Sequence, residues 1–197
     1  MAGTFLVLDG PDGSGTTKHS RLLADRLALE GVNVVLTAEP TPGPIGSFVR
    51  QLLREHAPLP SSAMQLLFCA DRAAHVEQEI LPALAAGKTV VCDRYAASTV
   101  AYGEALGVDP VWLGELNNKF VRPNRSIFLL PPLEICLERL GRRDAADAYE
   151  NEELQRKVHA AYRRLAAENP DIAVIDSAGS IEETAERIWE GAQPSAR

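Results

Sequence analysis

Cysteine is scarce in this chain of 197 residues: Cys69, Cys92 and Cys136, each in an apolar stretch. Their number is odd and no two form a Cys-x-x-Cys pair, so a dithiol redox motif and a thiolate zinc site have no support. They read as buried thiols of a cytoplasmic protein. No apolar run approaches the ~20 residues of a membrane span, and the N-terminus carries no signal-peptide pattern. Positive charge is in deficit: 20 Lys and Arg against 27 Asp and Glu leave a formal charge of −7. That balance argues against a duplex-DNA or membrane-surface binder, and a small anionic ligand would need a local basic cluster. Repeats and low-complexity segments are absent. What remains is an ordinary globular composition, 46% apolar, in a length that suits one domain with a full core.

The most informative stretch is Asp9-Gly10-Pro11-Asp12-Gly13-Ser14-Gly15-Thr16-Thr17-Lys18. It follows the apolar run Phe5-Leu6-Val7-Leu8, which reads as a buried strand, and precedes a helical pattern carrying Leu22, Leu23, Leu27 and Leu29. Strand, glycine-rich turn, helix start is the setting of a phosphate-binding loop. Gly10, Gly13 and Gly15 open backbone angles closed to other residues, so that successive amides can turn toward an anion with the helix dipole behind them. Against the pattern G-x-x-x-x-G-K-[ST], Gly10 and Gly15 are spaced correctly and Thr17 stands where a magnesium-binding hydroxyl belongs. Thr16 occupies the lysine slot. Lys18 lies two residues on, about 200° round a helix, and is expected to point away from the phosphates.

Downstream, helices and short apolar strands alternate. Strands are expected at Asn33–Thr37, Thr89–Cys92, Ile127–Leu130 and Ile172–Ile175. Helices are expected over about Thr16–Glu30, Gly46–Glu55, Ser61–Ala86 with a kink at Pro82, 96–106, 110–121, Leu133–Leu140, Glu150–Glu168 and Ile181–Trp189. Alternation of this kind predicts an α/β fold, a parallel sheet covered by helices on both faces. Ligands bind such sheets beyond the C-terminal strand ends, where the chain places Asp9 onward, Glu39-Pro40, Asp93-Arg94 and Pro131-Pro132.

Three constellations carry chemistry. On the helix from Ser61, Leu66, Ala73, Ile80 and Leu84 fall on one face at 100° per residue, read as the core stripe, and Met64, Phe68, Arg72 and His75 fall on the other. Phe68 and Arg72, four apart, could stack a planar base and bond its exocyclic oxygen, or form a dimer contact. Asp93-Arg94 at a strand end suits either a magnesium-ordering carboxylate beside a phosphate-gripping guanidinium or a local salt bridge. Arg139, Arg142 and Arg143 crowd a polar segment, as in a lid over a polyphosphate or a solvated charged face. Asp12, inside the loop, would repel phosphate and suits a sugar hydroxyl or a turn cap.

Together these residues resemble the thymidylate kinase family over nearly the whole chain. Gly10–Gly15 is similar to its loop, acidic third position included. Leu66-Leu67-Phe68-Cys69-Ala70-Asp71-Arg72 matches its L-L-F-x-A-x-R helix. Asp93-Arg94-Tyr95, with Ser98, Ala101 and Tyr102, matches its D-R-Y/H stretch. Asp147-Ala148-Tyr149-Glu150 resembles its D-R-[FY]-E, and Glu39-Pro40, with Gly46 and Arg50, partly resembles its R-E-P-G-G-T.

The resemblance implies a P-loop NTPase fold with a five-stranded parallel sheet, one domain over 1–197 with a lid at about 141–149, a homodimer, and ATP- and Mg2+-dependent phosphorylation of dTMP to dTDP. By position, Phe68 stacks on thymine and Arg72 bonds its O4. Asp12 accepts the 3′-hydroxyl, and Tyr102 lies under the sugar. Arg94 holds the monophosphate, with Pro40, Arg50, Ser98, Thr99 and Tyr149 completing the dTMP site. Gly10, Asp12, Gly13, Ser14, Gly15, Thr16, Thr17, Lys18 and Arg139 fall to the ATP phosphates. Thr17 and Asp93 fall to the metal, Arg142 and Arg143 to the lid, and Ser177–Gly179 to adenine. Three departures lose positive charge: Thr16 for the loop lysine, Ala38 for the Arg before Glu-Pro, and Ala148 for the Arg of D-R-[FY]-E. Arg139, Arg142, Arg143 and Lys18 are the cations open to replace the lysine. A kinase with another acceptor, or a nucleotide binder with little transfer activity, are the rival readings.

Overall fold

A computed structural model describes residues 3–142, 149 and 151–193. Five parallel strands form one sheet in the order β2-β3-β1-β4-β5. They are β1 (Thr4–Asp9), β2 (Val34–Ala38), β3 (Thr89–Asp93), β4 (Arg125–Leu129) and β5 (Ala173–Ile175). The α/β class and the parallel sheet expected from alternation are both present.

β1 is apolar on both sides because helices cover both sheet faces. Leu6 and Leu8 pack with Leu23, Ile127, Leu129 and Ile188, beneath α1 (Thr16–Leu29) and α9 (Ile181–Ala192). Phe5 and Val7 point the other way, into Ile80, Val90, Cys92 and Tyr95. A third cluster on that face joins Phe128 to Val158 and Tyr162 of α8 (Glu152–Glu168). The chain runs outward from β1 to β2 and β3 on one side, then to β4 and β5 on the other. β1 is therefore the switch point, beyond whose C-terminal end an open parallel sheet binds its ligand. Register sets Leu8 opposite Asp93, and Asp93 opposite Ala38, so Asp9, Glu39 and Arg94 arrive at one edge.

The expected helix over Ser61–Ala86 is instead α3 (Ser61–His75), a π turn at Val76–Ile80 and α4 (Leu81–Ala85). Pro82 explains the turn: its ring crowds the carbonyl four residues back, and widening the preceding turn relieves the clash. The widened turn breaks the 100° step between α3 and Ile80, and on α3 itself the expected core stripe is corrected. Leu66 is 45% exposed and Ala73 is exposed, while Met64, Arg72 and His75 are buried. The face read as peripheral is the inner one. α2 (Pro44–Arg54) starts two residues earlier than expected, with Pro44 in the first turn, where its missing N–H costs nothing. Ser61 opens α3 without a side-chain cap. α5 (Ala96–Ala105) and α7 (Leu133–Leu140) match their expected ranges closely, and α6 (Pro110–Asn117) stops four residues short. No helix among the described residues is long and apolar enough to cross a membrane.

Candidate active site

Beyond β1 the chain makes the glycine turn and enters α1 with Gly15 as its N-cap. Gly13 and Gly15 have φ of +80° and +95°, angles that favour glycine. Gly10 does not share them; it is needed for space, since a Cβ there would lie 2.6 Å from the Leu129 carbonyl oxygen. Ser14 and Thr16 are buried, and Thr17 and Lys18 are exposed. Arg139, half-buried on α7, donates to the carbonyls of Gly13 (3.2 Å) and Ser177 (2.8 Å). It braces the loop from behind and ties it to the 177–179 turn. Arg142 is exposed, paired with Glu138 one helical turn back, as on a solvated charged face. Arg143, Asp147 and Ala148, with most of the expected lid, lie outside the described residues.

At the end of β3, the hydroxyl of Thr17 donates to Asp93 Oδ2 at 2.5 Å, and Asp93 Oδ1 is buried without a partner among the described residues. Arg94 turns away from Asp93 on a left-handed backbone, φ +69°. Its guanidinium reaches the Gly10 carbonyl (2.8 Å), Ser98 Oγ (3.2 Å) and Asp12 Oδ1 (2.6 Å), and lies 5.6 Å from the Tyr102 ring centre. Desolvation works against its charge, but Tyr102 and Asp12 outweigh it and hold Arg94 well above the ordinary range. The strand-end salt bridge is thus with the loop, not with Asp93.

Asp9 is fully buried and accepts from Ser98 Oγ (2.6 Å), Tyr162 Oη (2.6 Å) and the Tyr95 amide (3.1 Å). Burial raises its carboxyl above the usual range, against the pull of Arg94 and the two hydroxyls. Asp12 also accepts from Gln155 Nε2 (2.8 Å), while its amide donates to Gln155 Oε1 (3.2 Å).

Next to Arg94 opens a cavity of about 130 Å³, lined among others by Pro40, Phe68, Arg72, Ser98, Thr99 and Tyr102. Tyr149 lies in it, stacked on Tyr102 (5.6 Å) and tilted against Phe68 (6.5 Å). Burial, with the Asp12 charge adding, drives the Tyr102 phenol well above its usual range, so it stays neutral. Arg72 is 1% exposed and pairs with Glu39 at 2.7 Å. It also donates to Thr99 Oγ1 (3.0 Å) and to Asn117 Oδ1. Glu39 is held in turn by His75 Nδ1 (3.0 Å), whose Nε2 meets Thr37 Oγ1 (2.8 Å) and Glu79 of the π turn (3.2 Å). Arg50 stands apart from the cavity: its guanidinium donates to the carbonyls of Thr41 (2.5 Å) and Pro40, fixing the proline-rich turn.

Sequence reasoning missed Asn117, Gln65, Gln155 and Tyr162. Two had a signal. Gln65 lies seven residues before Arg72 on one helical face, and Gln155 shares the buried stripe of Val158 and Tyr162. Asn117, on a short helix distant in sequence, had none.

A glycine turn at a helix start and an aromatic-lined cavity that share one guanidinium fit the fold class of a P-loop phosphotransferase. The family model described as thymidylate kinase matches residues 8–188. A probable thymidylate kinase of Pyrococcus horikoshii is 41% identical over 189 residues, covering 93% of this chain and 92% of the relative. That of Pyrococcus abyssi is 39% identical over 194 residues, 95% of each chain. A thymidylate kinase of Synechococcus sp. is 38% identical over 195 residues, 96% of this chain and 94% of the relative. The chain belongs to the thymidylate kinase family and is a phosphotransferase acting on dTMP.

Proposed function

We propose that this cleft binds dTMP in the aromatic pocket and ATP along the glycine loop, within one domain whose segment at about 141–149 serves as lid. The reaction is ATP + dTMP giving ADP + dTDP. The observation that carries the assignment of sites is Arg94, which touches both the loop at Gly10 and the pocket at Ser98 and Tyr102.

An oxygen of the dTMP phosphate attacks the γ-phosphorus of ATP in line, and ADP leaves. That oxygen is already ionised near neutral pH, so no strong general base is needed; the protein supplies alignment and charge neutralisation. Loop amides from Gly13 to Thr17 cradle the donor phosphates with the α1 dipole behind them. Arg94 grips the acceptor phosphate, Asp12 takes the 3′-hydroxyl, Phe68 stacks on the base and Arg72 bonds its O4. Among the cations proposed to replace the loop lysine, Lys18 is exposed, Arg139 is bonded to carbonyls and Arg142 to Glu138. Arg94 is bonded to a loop carbonyl and a carboxylate as well, but of these cations it is the one that also lines the aromatic cavity.

The residues present suit Mg2+. Among the described residues Asp93 Oδ1 is a buried oxygen without a partner, in a carboxylate bonded to the Thr17 hydroxyl, and such an ion takes one or two protein oxygens, with phosphate and water supplying the rest. No cluster of three or more His, Cys, Asp or Glu able to cage a metal occurs among the described residues. Thr17 and Asp93 would hold the ion, whose charge offsets that of the phosphates. The three cysteines, free and buried, suit the cytoplasm as its compartment. A homodimer fits Phe48 of α2 and Leu66 of α3, which are 48% and 45% exposed.

A coupled ADP-release assay with dTMP and other monophosphates at equal concentration tests the reading. Turnover is expected with dTMP above the rest, and to fall by about a hundredfold or more in Arg94→Ala. Turnover equal to that variant's refutes it.

A further inference from the structure

Buried polar atoms are nearly always paired, so unpaired ones that gather round one space are informative. Among the described residues, Gln65 Oε1 and Arg72 Nε are buried without a hydrogen-bond partner, and both residues line the same cavity. Gln65 is 0% exposed. Its Nε2 has only a long contact with Tyr149 Oη at 3.4 Å. Space for it comes from α5: a Cβ on Gly103 would lie 3.1 Å from Gln65 Cγ.

Arginine offers donors only, and a glutamine carbonyl oxygen is an acceptor. A donor and an acceptor side by side match the 4-oxo, N3–H edge of thymine or uracil. Cytosine reverses both, with an amine at position 4 and a bare N3. A glutamine amide can turn over to meet a bare N3, but a guanidinium cannot become an acceptor. Arg72 would thus decide oxygen against amine, and the neighbouring glutamine would decide what stands at N3.

We propose that Gln65 is a specificity-determining residue, whose side-chain oxygen accepts the N3–H of the dTMP base next to the O4 that Arg72 binds. The inference rests on the placement of the base against Arg72 proposed above. It adds a substrate contact from α3 that sits outside every motif of the sequence reading. It also gives a reason for a buried glutamine where an apolar side chain would pack at lower cost.

The test uses the intact protein with ATP, comparing dTMP with N3-methyl-dTMP. The native protein should use the methylated nucleotide at least about a hundredfold less well than dTMP. Gln65→Leu keeps the volume and removes the acceptor. It should raise the KM for dTMP about tenfold, with the KM for ATP and the melting midpoint reporting that it has folded. Gln65→Ala opens room for the methyl group and should bring N3-methyl-dTMP to within about threefold of dTMP. A role in packing alone predicts that Gln65→Leu keeps its KM for dTMP, and that result overturns the proposal; so does native turnover of N3-methyl-dTMP equal to that of dTMP, a readout that needs no variant to fold. Arg72→Lys, which retains the charge beside Glu39, separates the two layers. If it leaves the KM for dTMP unmoved, the base lies elsewhere and the wider site assignment fails. If it raises that KM while Gln65→Leu does not, only the glutamine's role is lost.

Discussion

Replacing Glu39 by Gln leaves the Arg72 guanidinium, 1% exposed, without the carboxylate that faces it at 2.7 Å. The shape of the site is kept, and so are the bonds of Arg72 to Thr99 and Asn117. The loss is electrostatic: removing one partner of a buried ion pair costs about 3–5 kcal/mol. In a chain of this size each kcal/mol moves the melting midpoint by about 2–4 °C, so a fall of about 6–20 °C is expected by circular dichroism. The KM for dTMP should rise in the same variant, because Arg72 is then held by Thr99 and Asn117 alone and less firmly aimed. A second substitution separates stability from recognition. Glu39→Gln with Arg72→Met removes both charges, and apolar replacement of a whole buried pair is often neutral. The double variant should regain most of the midpoint and none of the dTMP affinity. A midpoint shift below about 2 °C in the single variant, or a double variant no more stable than the single one, refutes the reasoning that Glu39 makes the burial of Arg72 tolerable.

Thr16→Lys should change turnover little or lower it, because Arg94 already sits on the loop at the Gly10 carbonyl; a gain of about a hundredfold would mean that the native loop lacks a cation. Burial, helped by Arg139 and Lys18, lowers the His19 imidazole below its ordinary range. The folded state then favours neutral His19, while the unfolded chain takes up a proton near pH 6.5, so stability falls as the pH drops through that value. His19→Gln should show a shallower loss of melting midpoint between about pH 7 and 5, and equal slopes would count against the assignment.

Strands and the glycine loop were legible because each is local: an apolar run, then glycines at fixed spacing, then a helical pattern. Leu133–Leu140 and the strand near Ile175 needed no tertiary information. The phase of α3 was not legible, because a π turn before Pro82 breaks the 100° step on which the stripe of Leu66 and Ile80 depended. Arg72 was found by its spacing from Phe68, but its inward burial follows from Glu39, Thr99 and Asn117, which meet it only in three dimensions. Likewise Asp93-Arg94 was read as a pair. The left-handed backbone at Arg94 sends the two side chains apart, to Thr17 and to Asp12, and nothing in a dipeptide announces that angle.

The contact between Arg94 and Asp12 bears on which molecules can enter. With the cleft empty, the two charges satisfy each other across 2.6 Å. Inorganic phosphate could draw the guanidinium away but would strand the carboxylate, half-enclosed, with one partner fewer. Thymidine could offer its hydroxyl to the carboxylate but would leave the guanidinium with nothing new. A molecule bearing both groups at the right separation compensates both sides at once, so the lock opens to two keys turned together and resists either one alone.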